Sequence, residues 1–382
     1  MPRTDTPPAP PRTRGNALPP AARGLLLYCR EGFEKECAQD LSHILEANGW
    51  SGYCVARPMS ALVEWIAHDG SIPATRLPAL SELVFARQLL LMGERLTDLA
   101  PGQRVEALLA AAKALAPAFS GIVVETAYTD AARELSALAK SLAPALTRAA
   151  KASGMLQTEA GLPRLHVLIE NGSAALVAAA VPGNCSDWHM GVPRLKMPAA
   201  APSRATLKLH EAFLTLLTEA EREQLLQPGM TAVDLGAAPG GWTWQLVRRH
   251  LRVTAVDNAA IAPELLDSGL VRHQREDGFR FRPPKTVDWM VCDMVEQPSR
   301  IAKLAAQWLA AGWCRHTIFN LKLPMRRRYE EVERCRALIA DALGGAPHEL
   351  RIKQLFHDRE EVSAYLAPAP PVKTRGGRKN PL

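Results

Sequence analysis

The stretch VDLGAAPGGWTWQL, residues 233–246, reads as a buried strand that breaks into a Gly/Pro turn and resumes as an apolar helix. Two adjacent glycines stand at the break. The dinucleotide fingerprint G-x-G-x-x-G would explain a glycine-rich strand–helix turn, but the spacing does not fit it. Gly236 is followed by Ala237, Ala238 and Pro239 before Gly240 and Gly241 arrive. Small residues let a backbone approach a ligand closely, and the helix that follows offers free N–H groups. The turn therefore suits a nucleotide-like ligand of another kind.

Outward from that turn the chain repeats one unit. TAVDLGAAP leads to WTWQLVRRH, LRVTAVDN to IAPELLDSG, VDWMVCDM to PSRIAKLAAQWLAAG, and HTIFNLKLP to YEEVERCRALIADAL. Strands alternating with helices predict an α/β domain, a Rossmann-like, doubly wound and mostly parallel sheet. Ligands bind such sheets at the carboxyl ends of the strands, so the residues just past each strand are the candidates for chemistry.

Towards the N-terminus the pattern differs. RGLLLYCREGFEKECAQDLSHIL predicts a short strand and an amphipathic helix, and SGYCVARPMSALVEWIA a pair of β-leaning stretches. QRVEALLAAAKAL and ARELSALAKSLAPALTRAAKA have helical periodicity, with a strand, GIVVETAY, between them. PRLHVLIENGSAALVAAAV reads as a hairpin about Asn171-Gly172. His166 alternates there with apolar neighbours and reads as a plain sheet residue. This half is mixed α+β and carries no catalytic cluster. GVPRLKMPAAAPSRA, residues 191–205, holds three prolines and three basic residues and marks a linker.

The 382 residues allow two or three domains with cores of their own. The first twenty residues contain seven prolines and no apolar h-region, which reads as a flexible tail and not a signal peptide. No apolar run approaches the roughly 20 residues of a membrane span. The seven cysteines are scattered without a CxxC pair, so no disulfide framework and no metal site is expected, and a cytoplasmic location is. A formal charge of +7 agrees with a polyanionic partner.

The strand ends are specific. Asp257, in VTAVDN, lies about twenty residues past Gly236, where an acid can bind both hydroxyls of a ribose. Asp277, in REDGFRF, falls where a third strand would end, in reach of an adenine amino group. Asp293 follows VDWMVC; it is not followed by the P-P-Y/F of enzymes that methylate exocyclic base amines. Cys292 follows valine and points into the sheet as a core residue, so a cysteine nucleophile for base carbon methylation is missing. Lys322 closes the next strand, in NLKLP, and Lys208 in SRATLKLHEAF and Glu361 in HDREEVSAYL stand at further cleft edges. Two lysines with two carboxylates can lower one amine's pKa through like-charge repulsion and burial. A neutral amine can then take a proton from a sugar hydroxyl.

The set SRATLKL, VDLGAAPGGW, VCDM, NLKLP and REEV resembles the FtsJ-like family of RNA ribose 2′-O-methyltransferases, with its Lys-Asp-Lys-Glu tetrad. The tetrad falls on Lys208, Asp293, Lys322 and Glu361, with Glu360 as the alternative because the double Glu leaves the register open by one. The resemblance implies S-adenosylmethionine as methyl donor. Ser203, Gly236, Ala238, Pro239, Gly240, Gly241, Trp242, Asp257, Asp277 and Asp293 would bind it. HDREEV, LKMPAAAPSRATLKLHEAF and the long N-terminal half are similar to the branch acting on a cytidine of bacterial 23S ribosomal RNA. That branch carries a ferredoxin-like segment and a THUMP RNA-binding domain.

The domain organisation then expected is a Pro-rich tail over 1–22, a ferredoxin-like α+β domain over 23–90 and a THUMP-like domain over 91–186. A linker over 187–205 leads to the methyltransferase domain over 206–366 and a basic tail over 367–382. Lys322 would serve as base, Asp293 and Lys208 would orient and tune it, and Glu361 would fix Lys208 and the ribose. No metal is required. Arg326, Arg327 and Arg328 would hold substrate phosphates, with Arg194, Lys196 and Arg204 extending the track. A monomer is the expected state. The competing readings are a ribose methyltransferase for another RNA, the same donor with a small-molecule acceptor, and a non-catalytic RNA-binding assembly factor.

Overall fold

The computed structural model describes residue 22 and residues 24–370. The proposed tail over 1–22 lies outside the described residues but for residue 22, and so does that over 367–382 from residue 371 on, while Ala367 and Pro368 belong to the last strand and not to a tail. The first half runs β1 (Gly24–Tyr28), α1 (Glu34–Ala47), β2 (Gly52–Val55), β3 (Leu62–Ala67), β4 (Gln88–Leu96), α2 (Arg104–Leu115), β5 (Gly121–Thr126), α3 (Ser136–Ala152), β6 (Arg164–Asn171) and β7 (Ala174–Ala180). The second runs α4 (Thr206–Leu216), α5 (Glu219–Leu225), β8 (Thr231–Leu235), α6 (Gly241–Val247), β9 (Arg252–Val256), α7 (Pro263–Asp267), β10 (Val271–Gln274), β11 (Val287–Cys292), α8 (Pro298–Ala310), β12 (Cys314–Lys322), α9 (Arg328–Ala342), β13 (His348–Lys353) and β14 (Glu361–Pro368). The strands form two seven-stranded sheets, β2-β3-β1-β4-β7-β6-β5 and β10-β9-β8-β11-β12-β14-β13.

By compactness the chain divides into two units. Of the described residues, the smaller comprises those up to 26, 64–77 and 89–185, and the larger 27–63, 78–88 and 186–370. In the smaller unit β6 and β7 form the hairpin expected about Asn171-Gly172, and β5 lies parallel to β6. His166 is more than a sheet residue. It is buried at 1%, and its Nδ1 lies 2.7 Å from the equally buried Glu125 carboxylate. That partner is 41 residues away in sequence and comes alongside only when β5 pairs with β6.

In the larger unit β8, β9, β10, β11 and β12 are parallel, and β13 and β14 join antiparallel. The central strands are apolar almost without a break because helices cover both faces. Val291, Trp289 and Ile318 from the sheet meet Phe213, Trp242 and Leu246 from the helices. Each such side chain contributes on the order of 2 kcal/mol through burial. The Trp289 indole N–H, taken out of water with its ring, donates to the Leu225 carbonyl at 2.6 Å. α8 turns Ile301, Leu304, Ala305 and Trp308 to the core, a 3–4 spacing that gives one apolar face.

Part of the expected linker is docked. Met190 and Val192 are buried at 3% and 2%, and a Cβ at Gly191 would stand 2.3 Å from the Arg87 carbonyl oxygen. No helix among the described residues is long and apolar enough to cross a membrane.

Candidate active site

The glycines of the opening turn do separate jobs. Gly240 caps α6 with φ +114°, in the left-handed region that an L side chain rarely adopts. Gly241 lacks a side chain because Ser203 leaves no room: a Cβ there would lie 2.3 Å from Ser203 Oγ. Gly236, at φ +75°, lets Met294 come so close that a Cβ would meet its Cγ at 2.4 Å. The turn thus folds flat against the start of α4 and against the residues after β11. Between them lies a cleft of about 320 Å³, partly open to solvent. Ser203, Ala205, Asp234, Gly236, Ala237, Ala238, Pro239, Gly241, Trp242 and Asp293 line it.

Two of its polar atoms are unmatched within the protein. Ser203 Oγ and the Trp242 indole nitrogen are buried without a hydrogen-bond partner. An unmet buried polar group costs about 1–3 kcal/mol, so a ligand that supplies partners gains from both. Two acids line the cleft, Asp293 and Asp234, and Asp234 Oδ2 accepts from Thr243 Oγ1 at 2.6 Å. Burial pushes the Asp234 carboxyl up to about 7, against the Thr243 hydrogen bond, and Asp293 adds to the rise.

Beside the cleft four charged side chains meet. The antiparallel register of β12 and β14 sets Lys322 directly opposite Glu361, so both point to one face at the sheet's end. Lys322 Nζ donates to Asp293 Oδ1 at 2.5 Å and to Glu361 Oε2. Lys208, from the first turn of α4, reaches Glu361 Oε1 at 2.5 Å and Asp293 Oδ2 at 3.4 Å. Each carboxylate therefore bridges both ammonium groups. Side-chain exposures of 18% for Lys208, 15% for Asp293, 23% for Lys322 and 6% for Glu361 leave the lysines reachable from solvent.

The electrostatics correct one expectation. Burial does pull the Lys322 amine down, but the Asp293 and Glu361 charges and their hydrogen bonds outweigh it, and the net direction is up. Like-charge repulsion from Lys208 does not decide the matter, because two carboxylates accept directly from the Lys322 amine. The resting Lys322 is an ammonium.

The remaining residues fall into two groups. Gly240, Asp257 and Asp277 do not line the cleft, although Asp257 Oδ2 accepts from the Ala238 N–H at 3.0 Å and so braces the turn. Asp277 is exposed just beyond β10, with its Oδ1 accepting from the Phe279 N–H at 2.8 Å. Glu360 turns away from the tetrad and pairs with Arg328 at 2.7 Å. Arg326 and Arg327 are exposed in the loop before α9, as are Arg194, Lys196 and Arg204. Arg328 departs from the phosphate role expected of it. Its guanidinium lies 4.2 Å from the Phe33 ring centroid and is held by Glu36 and Glu360, which compensate the charge a phosphate would need. Cys292 is a core residue at 1% exposure, its thiol pushed up to about 12 chiefly by burial. No group of three or more metal-ligating side chains occurs among the described residues.

Sequence reasoning missed Ala205, Asp234 and Ala237 in the cleft and Asn320 behind Asp293. The signal for Asp234 was present: a lone carboxylate inside an otherwise apolar strand, VDL, needs a reason to be there.

Comparison with known proteins gives the family. Residues 201–322 match the FtsJ-like methyltransferase family, residues 22–90 the RlmM ferredoxin-like domain, and residues 103–181 the N-terminal region of ribosomal RNA large subunit methyltransferase M. The chain is 52% identical over 346 residues to ribosomal RNA large subunit methyltransferase M of Methylococcus capsulatus, covering 90% of this chain and 97% of that one. The chain belongs to the methyltransferase M family. The namesake from Thauera aminoaromatica is 51% identical over 355 residues, 91% of this chain and 96% of that protein. Among solved structures, TrmN from Thermus thermophilus is similar at 16% identity and a TM-score of 0.34, over 90% of this chain and 99% of that one. Membership makes this chain a methyltransferase, and the larger unit carries the Rossmann-like sheet of such enzymes.

Proposed function

We propose that this protein transfers a methyl group from S-adenosylmethionine to the ribose 2′-hydroxyl of a cytidine in 23S ribosomal RNA, in the bacterial cytoplasm. The observation that carries the reading is the Lys208–Asp293–Lys322–Glu361 cluster at the lip of the glycine-turn cleft. Membership of a family whose members are named ribosomal RNA large subunit methyltransferases supports the substrate.

The cleft fits the donor. Its unmatched Ser203 hydroxyl and Trp242 N–H suit the polar groups of an amino acid, and Asp293 suits a cation. Asp257, which braces the turn from the end of β9, is the acid this reading assigns to the donor's ribose. S-adenosylmethionine, when bound, supplies a methyl group on a sulfonium that needs no further activation. Lys322 has two tasks: it points at the acceptor hydroxyl, and in its neutral form its Nζ takes the hydroxyl proton as the new oxygen–methyl bond forms and the sulfur–methyl bond breaks. Glu361 and Asp293 hold both lysines in one geometry, and most of the acceleration comes from this alignment. Arg326 and Arg327 give the acceptor's phosphates a basic approach next to Lys322, with Arg194, Lys196 and Arg204 as further contacts.

The test is transfer of labelled methyl from S-adenosylmethionine to unmodified 23S ribosomal RNA, wild type beside Lys322→Ala, with ribose-methylation mapping. Label at one cytidine 2′-hydroxyl, lost in the variant, is the expected result. Label on a base atom, or none on either naked RNA or ribosomal particles, overturns the reading.

A further inference from the structure

Behind the tetrad runs a chain of buried polar side chains that the reaction scheme does not use. Asn320, fully buried on β12, faces Asp293 with its amide nitrogen, Nδ2 to Oδ1 at 2.9 Å. Its amide oxygen faces Ser363 Oγ at 2.7 Å, from the paired position on β14. Ser363 Oγ in turn lies 3.2 and 3.4 Å from the two carboxyl oxygens of Asp358, which is 1% exposed.

Counting protons fixes the direction of this chain. The Asp293 carboxylate, already bridging two ammonium groups, only accepts, so the Asn320 end that meets it is the N–H₂. The other end of the amide is then an oxygen, which also only accepts, so the single Ser363 hydroxyl proton is spent on it. Nothing remains on Ser363 but lone pairs, and Asp358 faces them. An ionised Asp358 would set lone pairs against lone pairs. A protonated one donates through Oδ1, 3.4 Å from Ser363 Oγ, while Oδ2, 3.2 Å from the same hydroxyl, accepts from the Leu355 N–H at 3.0 Å.

We infer that Asp358 is a buried neutral carboxylic acid, and that Asp358→Ser363→Asn320→Asp293 is a one-way hydrogen-bond chain that orients the Asp293 carboxylate between Lys208 and Lys322. Asn320 is thereby a positioning residue, and Ser363 and Asp358 are the lock on its amide. The surroundings agree. Burial raises the Asp358 carboxyl well above its usual value, Glu361 and Glu211 add to the rise, and Lys208 opposes it. Arg30 lies close but gives its proton to the Asp358 main-chain carbonyl, 2.8 Å away, and Arg87 also faces the group. A neutral acid serves the site well, because a third carboxylate beside Glu361 would compete for the lysines.

The inference rests on the proposed methyl transfer only in its kinetic arm; its spectroscopic arm needs no substrate. The infrared difference between wild type and Asp358→Asn at neutral pH should show loss of a protonated-carboxyl C=O band. Loss of a carboxylate band instead overturns the inference, whatever the RNA assay gives. In the kinetic arm, Ser363→Ala should lower kcat about tenfold with donor affinity by calorimetry nearly unchanged, the effect of a misplaced supporting group. Ser363→Thr should restore it. Asp358→Asn, whose amide keeps both hydrogen bonds, should hold kcat where Asp358→Ala loses it. Unchanged kcat in Ser363→Ala, or equal losses in Asp358→Asn and Asp358→Ala, overturns the inference. A wild type inactive on RNA would instead count against the proposed function.

Discussion

Two clusters of buried charge in the larger unit are satisfied in opposite ways. At one, Lys353, 8% exposed, gives its ammonium to three main-chain carbonyls, of Leu80, Leu83 and Ala86, at 2.5–2.9 Å. Asp40, 4% exposed, takes the Val84 and Phe85 N–H groups at 2.6 and 3.2 Å. Main-chain partners cannot swing aside, so this cluster clamps the 80–86 segment. At the other, Lys208, Asp293, Lys322 and Glu361 satisfy one another, side chain to side chain, at a lip open to solvent. Those partners can be traded for a substrate hydroxyl. Burial alone does not separate a structural charge from a reactive one. The identity of the partner and access to solvent do.

The largest effects should fall on opposite sides of that divide. Lys322→Ala should reduce kcat on the order of 10²–10⁴-fold, the range for losing a general base, with urea unfolding close to wild type. Lys353→Met leaves three buried carbonyls without a donor, a loss on the order of 3 kcal/mol in unfolding free energy. Its folded fraction should keep wild-type kcat. Lys322→Ala that unfolds, or Lys353→Met that folds normally and fails to turn over, would erase the distinction.

pH sharpens the contrast next. Since its carboxylate neighbours raise the Lys322 amine, the neutral form is scarce at neutral pH, and kcat should climb about tenfold per unit through pH 7–9. The clamp responds in stability instead. Burial raises Asp40 from 3.8 to about 6, so its protonated form favours folding, and that stability is present below pH 3.8 and is lost as pH rises through about 6. Burial lowers Lys353 from 10.5 to about 8, so the unfolded chain binds the extra proton and stability grows from pH 8 towards 10.5. In that upper window wild type should gain on Lys353→Met in urea midpoints. A flat kcat profile would remove Lys322 as base.

Much of this was legible in the sequence because it is local. Continuous apolar runs ending in Asp293 and Lys322 announce buried parallel strands and what stands at their ends, and the Gly240-Gly241 pair announces a turn without room for side chains. What was not legible depends on pairing across distance. The direction of the Lys322 shift needs the pairing, since a count of two lysines and two acids does not say that both acids accept from Lys322. Arg326, Arg327 and Arg328 look alike in a row, yet only the third, at the start of α9, turns onto Phe33 and Glu36, some 290 residues earlier. Asn320 and Ser363 look like ordinary strand residues until β12 and β14 are set side by side.

The double Glu is the sharpest case of this kind and gives the smallest expected effect. Neighbours on a strand point to opposite faces, so a slip of one residue in β14 would exchange the roles of Glu360 and Glu361 completely. The register that pairs Lys322 with Glu361 puts Glu360 on Arg328, with 54% of its side chain exposed, where an ion pair is worth below about 1 kcal/mol. Glu360→Gln should therefore change kcat by less than about twofold and leave the pH profile in place. Glu361→Gln removes one of the two charges that hold the Lys322 amine up, so burial gains on the charge that remains and the rising limb of kcat moves to lower pH. A shifted limb in Glu360→Gln and none in Glu361→Gln would mean that β14 pairs one residue out of the register seen here. The tetrad would then have to be rebuilt around the other glutamate.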